Sequence, residues 1–479
     1  MQFFIQNPCE IFVSKIKILT FKIIKFNNKK IIKNMKSFSN PMVKILLIGN
    51  GAREHCIAET LNKNQDAVLF SYLKAKNPGI LSLSKEFELG DYNNLDKIKN
   101  FANKIKPDFA FIGPEDPLGN GVVDALKEIG IESVGPTKAL ARLETSKSFT
   151  RNLLKKYKIE GNPKFGIFNR NNINDAKKFL DGLEQCVVKP DGLTGGKGVK
   201  VQGDHFTTKK AAFEYCKEVL QSHHAAIVEE KLEGEEFSLQ CLTDGKTVIA
   251  TPPAQDHKRA FSDDKGPNTG GMGSYSCENH LLPFLAKKDV EKGLEITKKV
   301  AEALRKETGD YYKGVMYAGL ILTKGGVKLL EYNARFGDPE SMNVLPLLET
   351  DFVELCNGII SQKLHKIKIR FQNKATVCKY LVPNGYPENP AQKERIEVGK
   401  IQDNSKIYYA SVERRENGLY TTTSRAIACL GIAENLEKAE KMAEEATKSV
   451  KGNIFHREDI GTKRLIEKRV NHMKQILRS

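Results

Sequence analysis

A six-residue aliphatic run, Val43–Ile48, leads without a spacer into Gly49-Asn50-Gly51 and then into a helix-like pattern over Arg53–Asn62. A strand, a glycine turn and a helix in immediate succession open an α/β unit, and few folds begin that way. The pattern repeats. Ala67–Tyr72 reads as a strand, Leu95–Lys104 as a helix, Phe109–Ile112 as a strand ending in Gly113-Pro114, and Gly121–Ile129 as a helix. Such alternation predicts a parallel sheet with helices on both faces, over residues 42–145.

The chain has 479 residues, too many for one core at about 100–200 residues per domain. Ser146–Tyr157 reads as a helix. Residues 165–232 read as a small mobile α/β lid with strands at Cys186–Lys189 and Ala225–Glu229. The remainder of a central domain, residues 146–361, carries strands Val315–Leu322 and Val327–Tyr332 joined at Lys324-Gly325-Gly326. A C-terminal mixed α/β domain is expected over 362–465, with a strand at Ala375–Leu381 and a helix at Asn435–Val450, followed by a basic tail at 466–479.

Hydrophobic residues at 40% and charged residues at 28% exclude a disordered or membrane class. The formal charge of +17 suggests a nucleic-acid partner until it is located. Residues 1–41 hold eight Lys and one acid, Glu10, leaving +10 over 438 residues and no compact basic run with interleaved aromatics. Anionic small substrates are the more economical partners. Lysines interrupt every apolar stretch of residues 1–41, so no run reaches the ~18–20 residues of a membrane span. That segment lacks Arg and a clean apolar block, so it is expected to be a disordered or mis-assigned extension. The nine Cys form no CxxC pair or zinc-spaced cluster, which predicts buried reduced thiols in a cytoplasmic protein.

Three segments carry chemistry. Lys189-Pro190-Asp191-Gly192-Leu193-Thr194-Gly195-Gly196-Lys197-Gly198 places a Lys at a strand end and a glycine loop after it. Backbone N–H groups of such a loop approach phosphate oxygens closely, and Lys189 and Lys197 add point charges. Val228–Leu232 and Gly234-Glu235-Glu236 form a strand exit and hinge of the kind that meets an adenine edge and ribose hydroxyls. Leu330–Glu340 sets Glu331 and Asn333 on one face of a strand, where two oxygen donors suit Mg²⁺ or Mn²⁺ completed by phosphates and water. Arg335 follows, a clamp for a transferring phosphoryl group.

Taken in order, these segments resemble the ATP-grasp fold, and in detail the phosphoribosylamine–glycine ligase family. The resemblance is carried by Gly49–His55 (GNGAREH), Gly113–Leu118 (GPEDPL), Gly135–Lys138 (GPTK), Lys189–Gly198, Glu229–Glu236, Gln255–Arg259 (QDHKR), Gly266–Tyr275 (GPNTGGMGSY) and Glu331–Glu340 (EYNARFGDPE). Gly385-Tyr386-Pro387 and Phe455–Gly461 extend it, so it spans about Met42 to Gly461. It implies ATP-dependent joining of glycine to 5-phosphoribosylamine through glycyl phosphate, in purine biosynthesis, by a monomer with no nucleic-acid or membrane partner. Lys147, Lys189, Gly195, Gly196, Lys197 and Gly198 would hold phosphates. Glu229, Glu230, Lys231 and Leu232 would frame adenine, and Glu236 the ribose. Glu331 and Asn333 would hold the metal; Arg335, Lys197, Asp256 and His257 are the catalytic candidates. Gly49, Gly51, Arg53, Glu54, His55, Glu115 and Pro117 would form the phosphoribosylamine side, with GNGAREH as a phosphate cradle. Asn268, Thr269, Gly270, Gly271, Gly337, Asp338 and Pro339 would complete the substrate wall. Pro190 and Thr194 stand where many relatives have Ala, and Thr423-Ser424-Arg425 replaces a usual Gly-Gly-Arg.

Two other readings compete. Gly49-Asn50-Gly51 suggests a dinucleotide-dependent dehydrogenase, but Glu54 replaces the third glycine of that fingerprint and no acid closes the second strand. A neighbouring ATP-grasp ligase with another acid or amine is opposed by QDHKR and GPNTGGMG.

Overall fold

In strand β1 (Val43–Ile48), Ile45, Leu46, Leu47 and Ile48 are fully buried, which is why this run shows no polar alternation. β1 pairs in parallel with β4 (Phe109–Ile112), Ile45 opposite Phe109 and Ile48 opposite Ile112. With β2 (Ala67–Leu73), β3 (Ser84–Leu89) and β5 (Ser133–Val134) the sheet has the order β3-β2-β1-β4-β5. The order reverses between β1 and β4. The loops leaving these strands therefore open side by side, where parallel sheets bind ligands. Helix α1 (Ala52–Leu61) follows β1, and α2 (Glu115–Asn120) follows β4. This is a computed structural model, and it describes residues 42–195 and 198–478. By internal packing the chain divides into residues 1–43 and 44–479. The expected extension over 1–41 lies outside the described residues, as do Gly196 and Lys197.

Helices α3 (Lys138–Thr145) and α4 (Lys147–Lys156) lead onward, with Ser146 capping α4 through Phe149 N–H. Strands β6 (Phe165–Phe168), β7 (Cys186–Pro190), β8 (Lys200–Val201) and β9 (Ala226–Glu230) form a small sheet of order β6-β9-β7-β8. Its apolar face is covered by helices α5 (Ile173–Asp181) and α6 (Lys209–Ser222) through Ala176, Leu180, Ala212, Cys216 and Val219. Next comes an antiparallel sheet of order β11-β10-β16-β17, from β10 (Glu235–Thr243), β11 (Val248–Ala250), β16 (Gly314–Thr323) and β17 (Gly326–Asn333). The long helix α7 (Lys287–Thr308) packs on it, with Gly293 against Leu320 and Thr297 Oγ1 3.0 Å from the Tyr332 hydroxyl.

The third large sheet crosses the expected domain division. β12 (Gln255–Asp256) and β15 (Gly273–Ser276) join β18 (Ala375–Pro383), β20 (Ile427–Ala433) and β19 (Ser405–Tyr409) in the order β12-β15-β18-β20-β19. β13 (Arg259–Phe261) and β14 (Lys265–Asn268) form a hairpin between β12 and β15. Helix α8 (Leu436–Lys448) lies over β18 and β20. Within the basic tail expected at 466–479, the chain forms a helix, α9 (Lys463–Arg478), that buries Leu465, Met473 and Ile476. Lys-rich composition masked the apolar residues that turn toward the protein. The described cysteines, Cys56, Cys186, Cys216, Cys241, Cys277, Cys356, Cys378 and Cys429, are free and buried. Among the described residues no helix is long and apolar enough to cross a membrane.

Candidate active site

β17 ends at the site. Across the ladder Glu331 faces Gly319 and Asn333 faces Tyr317, so the two oxygen-bearing side chains share a face and the partner strand adds no carboxylate there. Burial opposes ionisation of Glu331, yet the charges of Lys258, Lys189, Lys147 and Arg335 bring its carboxyl down to about 2. Among the described residues there is no cluster of three or more His, Cys, Asp or Glu able to hold a metal. Glu331 and Asn333 fit a hard divalent cation that completes its shell with phosphate oxygens and water.

Arg335 lies just beyond. Its Nε meets Glu115 Oε2 at 3.0 Å, its Nη2 meets Glu144 Oε1 at 3.0 Å, and Nη2 also donates to Asn333 Oδ1 at 3.3 Å. Burial opposes the charge, but Glu144 and Glu115 outweigh it and hold the guanidinium firmly protonated. Glu115 responds in kind: burial pushes its carboxyl up, and Arg335 and Arg53 bring it down to about 2. Glu144 was not singled out from sequence, because an acid closing an amphipathic helix is ordinarily solvated. It is buried, and burial pushes its carboxyl up to about 7 against the pull of Arg335.

The lysines expected to meet phosphate converge from two elements. Lys147, at the start of α4, donates to Gly192 O at 2.8 Å. Lys189 Nζ lies 2.8 Å from Glu229 Oε2 and donates to Leu330 O at 3.2 Å. Gly195 has φ +57°, in the left-handed region, with open space around it. Gly198 O accepts from the Tyr215 hydroxyl at 2.9 Å. Glu229 departs from expectation. Its buried carboxylate is grasped by Arg151 Nε at 2.7 Å and Nη2 at 2.9 Å, while Arg151 also donates to Leu329 O and Leu330 O. Arg151 and Lys189 thus both lie on the Glu229 carboxylate, and Lys189 also reaches β17 through Leu330 O. Arg151 is one helical turn after Lys147, a spacing that places the two on one face of α4.

At the hinge, Glu230 Oε1 accepts from Lys164 N–H at 2.8 Å, Lys231 N–H donates to Gln185 O at 3.0 Å, and Lys231 Nζ donates to Gln202 O at 3.0 Å. Leu232 follows them in the turn before β10. Glu236 is half exposed, 3.8 Å from Lys258 Nζ. Lys258 also lies 3.7 Å from Glu331, which links the hinge to the metal pair.

Asp256, on β12, presents a buried Oδ1 with no partner among the described residues. Burial and the nearby charge of Glu340 raise its carboxyl well above the ordinary range. A side chain at Gly271 would come within 2.7 Å of Asp256 Oδ1 and 2.8 Å of Pro339 Cδ, so glycine is required for this close approach. Arg425 closes the wall, donating to Gly270 O, Gly271 O and Asp338 O, with Nη2 3.3 Å from Asp338 Oδ1. The Thr423-Ser424 departure leaves it in place. Thr269 Oγ1 donates to Lys258 O, Gly337 N–H donates to Gln240 Oε1, and Asn268 pairs with Arg259 in the hairpin.

His257 points the other way from Asp256. Its ring is buried 4.0 Å from Asp264 among Arg457 and Arg469, with neither nitrogen partnered among the described residues. Burial first, then those arginines, lower its pKa to about 3. The two side chains have different charged surroundings, Glu340, Lys258 and Arg425 about Asp256 and Arg469, Arg457 and Asp264 about His257.

At GNGAREH, the expected phosphate cradle, the chain's own carboxylate meets the loop amide. Gly51 N–H already donates to Glu54 Oε2 at 2.6 Å, and Arg53 Nε lies 2.5 Å from Glu54 Oε1. A side chain at Gly49 or Gly113 would come within 2.3 or 2.4 Å of Glu54 Cγ, so these glycines make room for Glu54. The carboxylate itself occupies the anion position at the start of α1. Arg53 reaches onward to Phe336 O at 3.1 Å and to Glu115 at 3.9 Å, facing the site. His55 is buried against β19, where its Nδ1 accepts from Tyr409 N–H at 3.0 Å. Pro117 is buried within α2.

Phosphate lysines facing a Glu–Asn strand end, between a small glycine-looped sheet and a larger antiparallel one, define an ATP-grasp ligase. Three family models match in succession: the phosphoribosylglycinamide synthetase N domain over 43–144, its ATP-grasp (A) domain over 145–341 and its C domain over 376–463. The chain belongs to the phosphoribosylglycinamide synthetase, or phosphoribosylamine–glycine ligase, family. The ligase of Methanocaldococcus jannaschii is 49% identical over 446 residues, covering 91% of this chain and 100% of that one. That of Methanosarcina barkeri is 48% identical over 435 residues, with the same coverage. The crystal structure of the Thermotoga maritima ligase matches with a TM-score of 0.73 at 27% identity, covering 87% of this chain and 100% of that one. The biotin carboxylase domain of a Hydrogenobacter thermophilus 2-oxoglutarate carboxylase shares the fold alone, with a TM-score of 0.67 at 15% identity.

Proposed function

We propose that the chain joins glycine to 5-phosphoribosylamine at the expense of ATP, giving glycinamide ribonucleotide, ADP and phosphate. The observation that carries this reading is the convergence of Lys147, Lys189, Glu331, Asn333 and Arg335 at the end of β17, in a chain of this family. A carboxylate is a poor electrophile at neutral pH. One glycine carboxylate oxygen attacks the γ-phosphorus, ADP leaves, and glycyl phosphate forms. The sugar amine then attacks the acyl carbon, loses a proton, and expels phosphate. Positioning and charge stabilisation suffice for this chemistry.

Lys147, Lys189, Lys197 and the Gly195–Gly198 loop hold the phosphates. Lys231 O, Leu232 and Glu236 frame the nucleoside. Glu331 and Asn333 would hold Mg²⁺ or Mn²⁺, which when bound would supply positive charge against the phosphate oxygens. Arg335 stabilises charge on the transferring phosphoryl group. Asp256 faces the glycine ammonium. Arg53 and Glu115 face the sugar amine side. Residues 42–145, 146–361 and 362–465 serve as the three functional domains, and the chain works as a cytoplasmic monomer on small molecules.

The acyl-phosphate route is tested with glycine carrying ¹⁸O in its carboxylate. One label is expected in the released phosphate for each turnover. Phosphate free of label, with amide still formed, contradicts it.

A further inference from the structure

Glu144 closes α3, three residues before Lys147, and is 7% exposed. One carboxylate oxygen accepts from Ala334 N–H at 2.7 Å. The other meets Arg335 Nη2 at 3.0 Å. A single side chain from α3 thus grips both the backbone and the guanidinium of the two residues that follow Asn333. On the opposite edge of the guanidinium, Glu115 Oε2 meets Nε at 3.0 Å. Arg335 is suspended between a carboxylate beside the phosphate lysines and one beside the sugar side, with Phe336 O as a further acceptor at 3.2 Å.

We propose that Glu144 is a positioning residue that fixes Arg335 for phosphoryl transfer. The inference rests on the ligase reading above. Arg is a long side chain with about 2 kcal/mol of rotamer entropy, and its planar fork acts only when oriented. Anchors on α2 and α3 hold it from two elements. Without Glu144 the remaining carboxylate, Glu115, draws the guanidinium toward the sugar side, leaving only the neutral acceptors Asn333 Oδ1 and Phe336 O to oppose it, and Ala334 N–H loses its acceptor. A misplacement of about 1 Å at such a group costs on the order of 100-fold in rate. Because Glu144 acts through Arg335, its contribution exists only while Arg335 is present.

The test is a double-mutant cycle on the full chain with Mg-ATP, glycine and 5-phosphoribosylamine, reading kcat and each KM. Glu144→Gln keeps the shape and an acceptor for Ala334 N–H. It is expected to lower kcat about tenfold, and Glu144→Ala about 100-fold, with KM for ATP unchanged within about twofold. In an Arg335→Ala background, Glu144→Gln is expected to change kcat by less than about twofold. An equal loss from Glu144→Gln in both backgrounds overturns the inference, as does an unchanged kcat in the otherwise wild-type chain. Wild-type turnover on this substrate pair reports separately on the ligase reading.

Discussion

Glu54 and Glu229 are both buried carboxylates, and each is spent inside the protein. Glu54 fills the amide position at the start of α1, and Glu229 neutralises Arg151 and Lys189 together. A buried charge survives only when paired, so in each case the partner is as important as the acid. The same logic governs His55, whose ring nitrogen accepts from Tyr409 N–H and must stay neutral to do so. Burial, and then the charge of Lys406, lower its pKa to about 4 against the pull of Glu59. The unfolded chain therefore takes up this proton near pH 6.5 while the folded chain refuses it until about pH 4. Stability is full above pH 6.5 and falls as pH drops through that window, by about 3 kcal/mol from this residue. Urea midpoints measured between pH 7 and pH 4 are expected to flatten in His55→Gln; an unchanged slope contradicts the assignment.

At the scale of elements, legibility followed burial. β1 and β4 were plain because each is an uninterrupted apolar run between turns. β3, Ser84-Lys85-Glu86-Phe87-Glu88-Leu89, was not, because an edge strand alternates charge with apolar residues and lacks the β-branched run that marks a central one. α9 was hidden by composition. Its Arg469 reaches Glu235 at 3.5 Å and Asp264 at 2.6 Å, and His472 meets Glu235 at 2.6 Å. The helix thus braces both the start of β10, beside Glu236, and the β13–β14 hairpin. Arg469→Ala strips Glu235, 3% exposed, of its strongest counter-charge, an expected loss of about 3 kcal/mol read as a lower urea midpoint. A midpoint unchanged from wild type assigns α9 to the surface, as its composition first suggested.

In the whole molecule, the site gathers residues from three sheets. Arg53 and Glu115 come from the first turns of the helices that follow β1 and β4 of the parallel sheet, Glu331 and Asn333 from the antiparallel core, and Asp256 from a strand paired into the C-terminal sheet. The Glu331–Asn333–Arg335 constellation was readable because strand period alone puts alternate residues on one face. Glu144 and Arg151 were not, since what distinguishes them is a partner more than 70 residues away in sequence, Ala334 or Glu229. His257, a catalytic candidate that could equally be structural, lies buried beside Asp264, Arg457 and Arg469, a setting made by residues distant in sequence. The glycine loop alone identifies only the use of ATP, whereas acid and amine are proposed to be set by residues of the other two sheets. ADP release measured with Mg-ATP while glycine and 5-phosphoribosylamine are omitted one at a time tests that assignment most directly. The account predicts sustained ADP release only when both are present; equal release with either one omitted, or with another acid–amine pair, contradicts it.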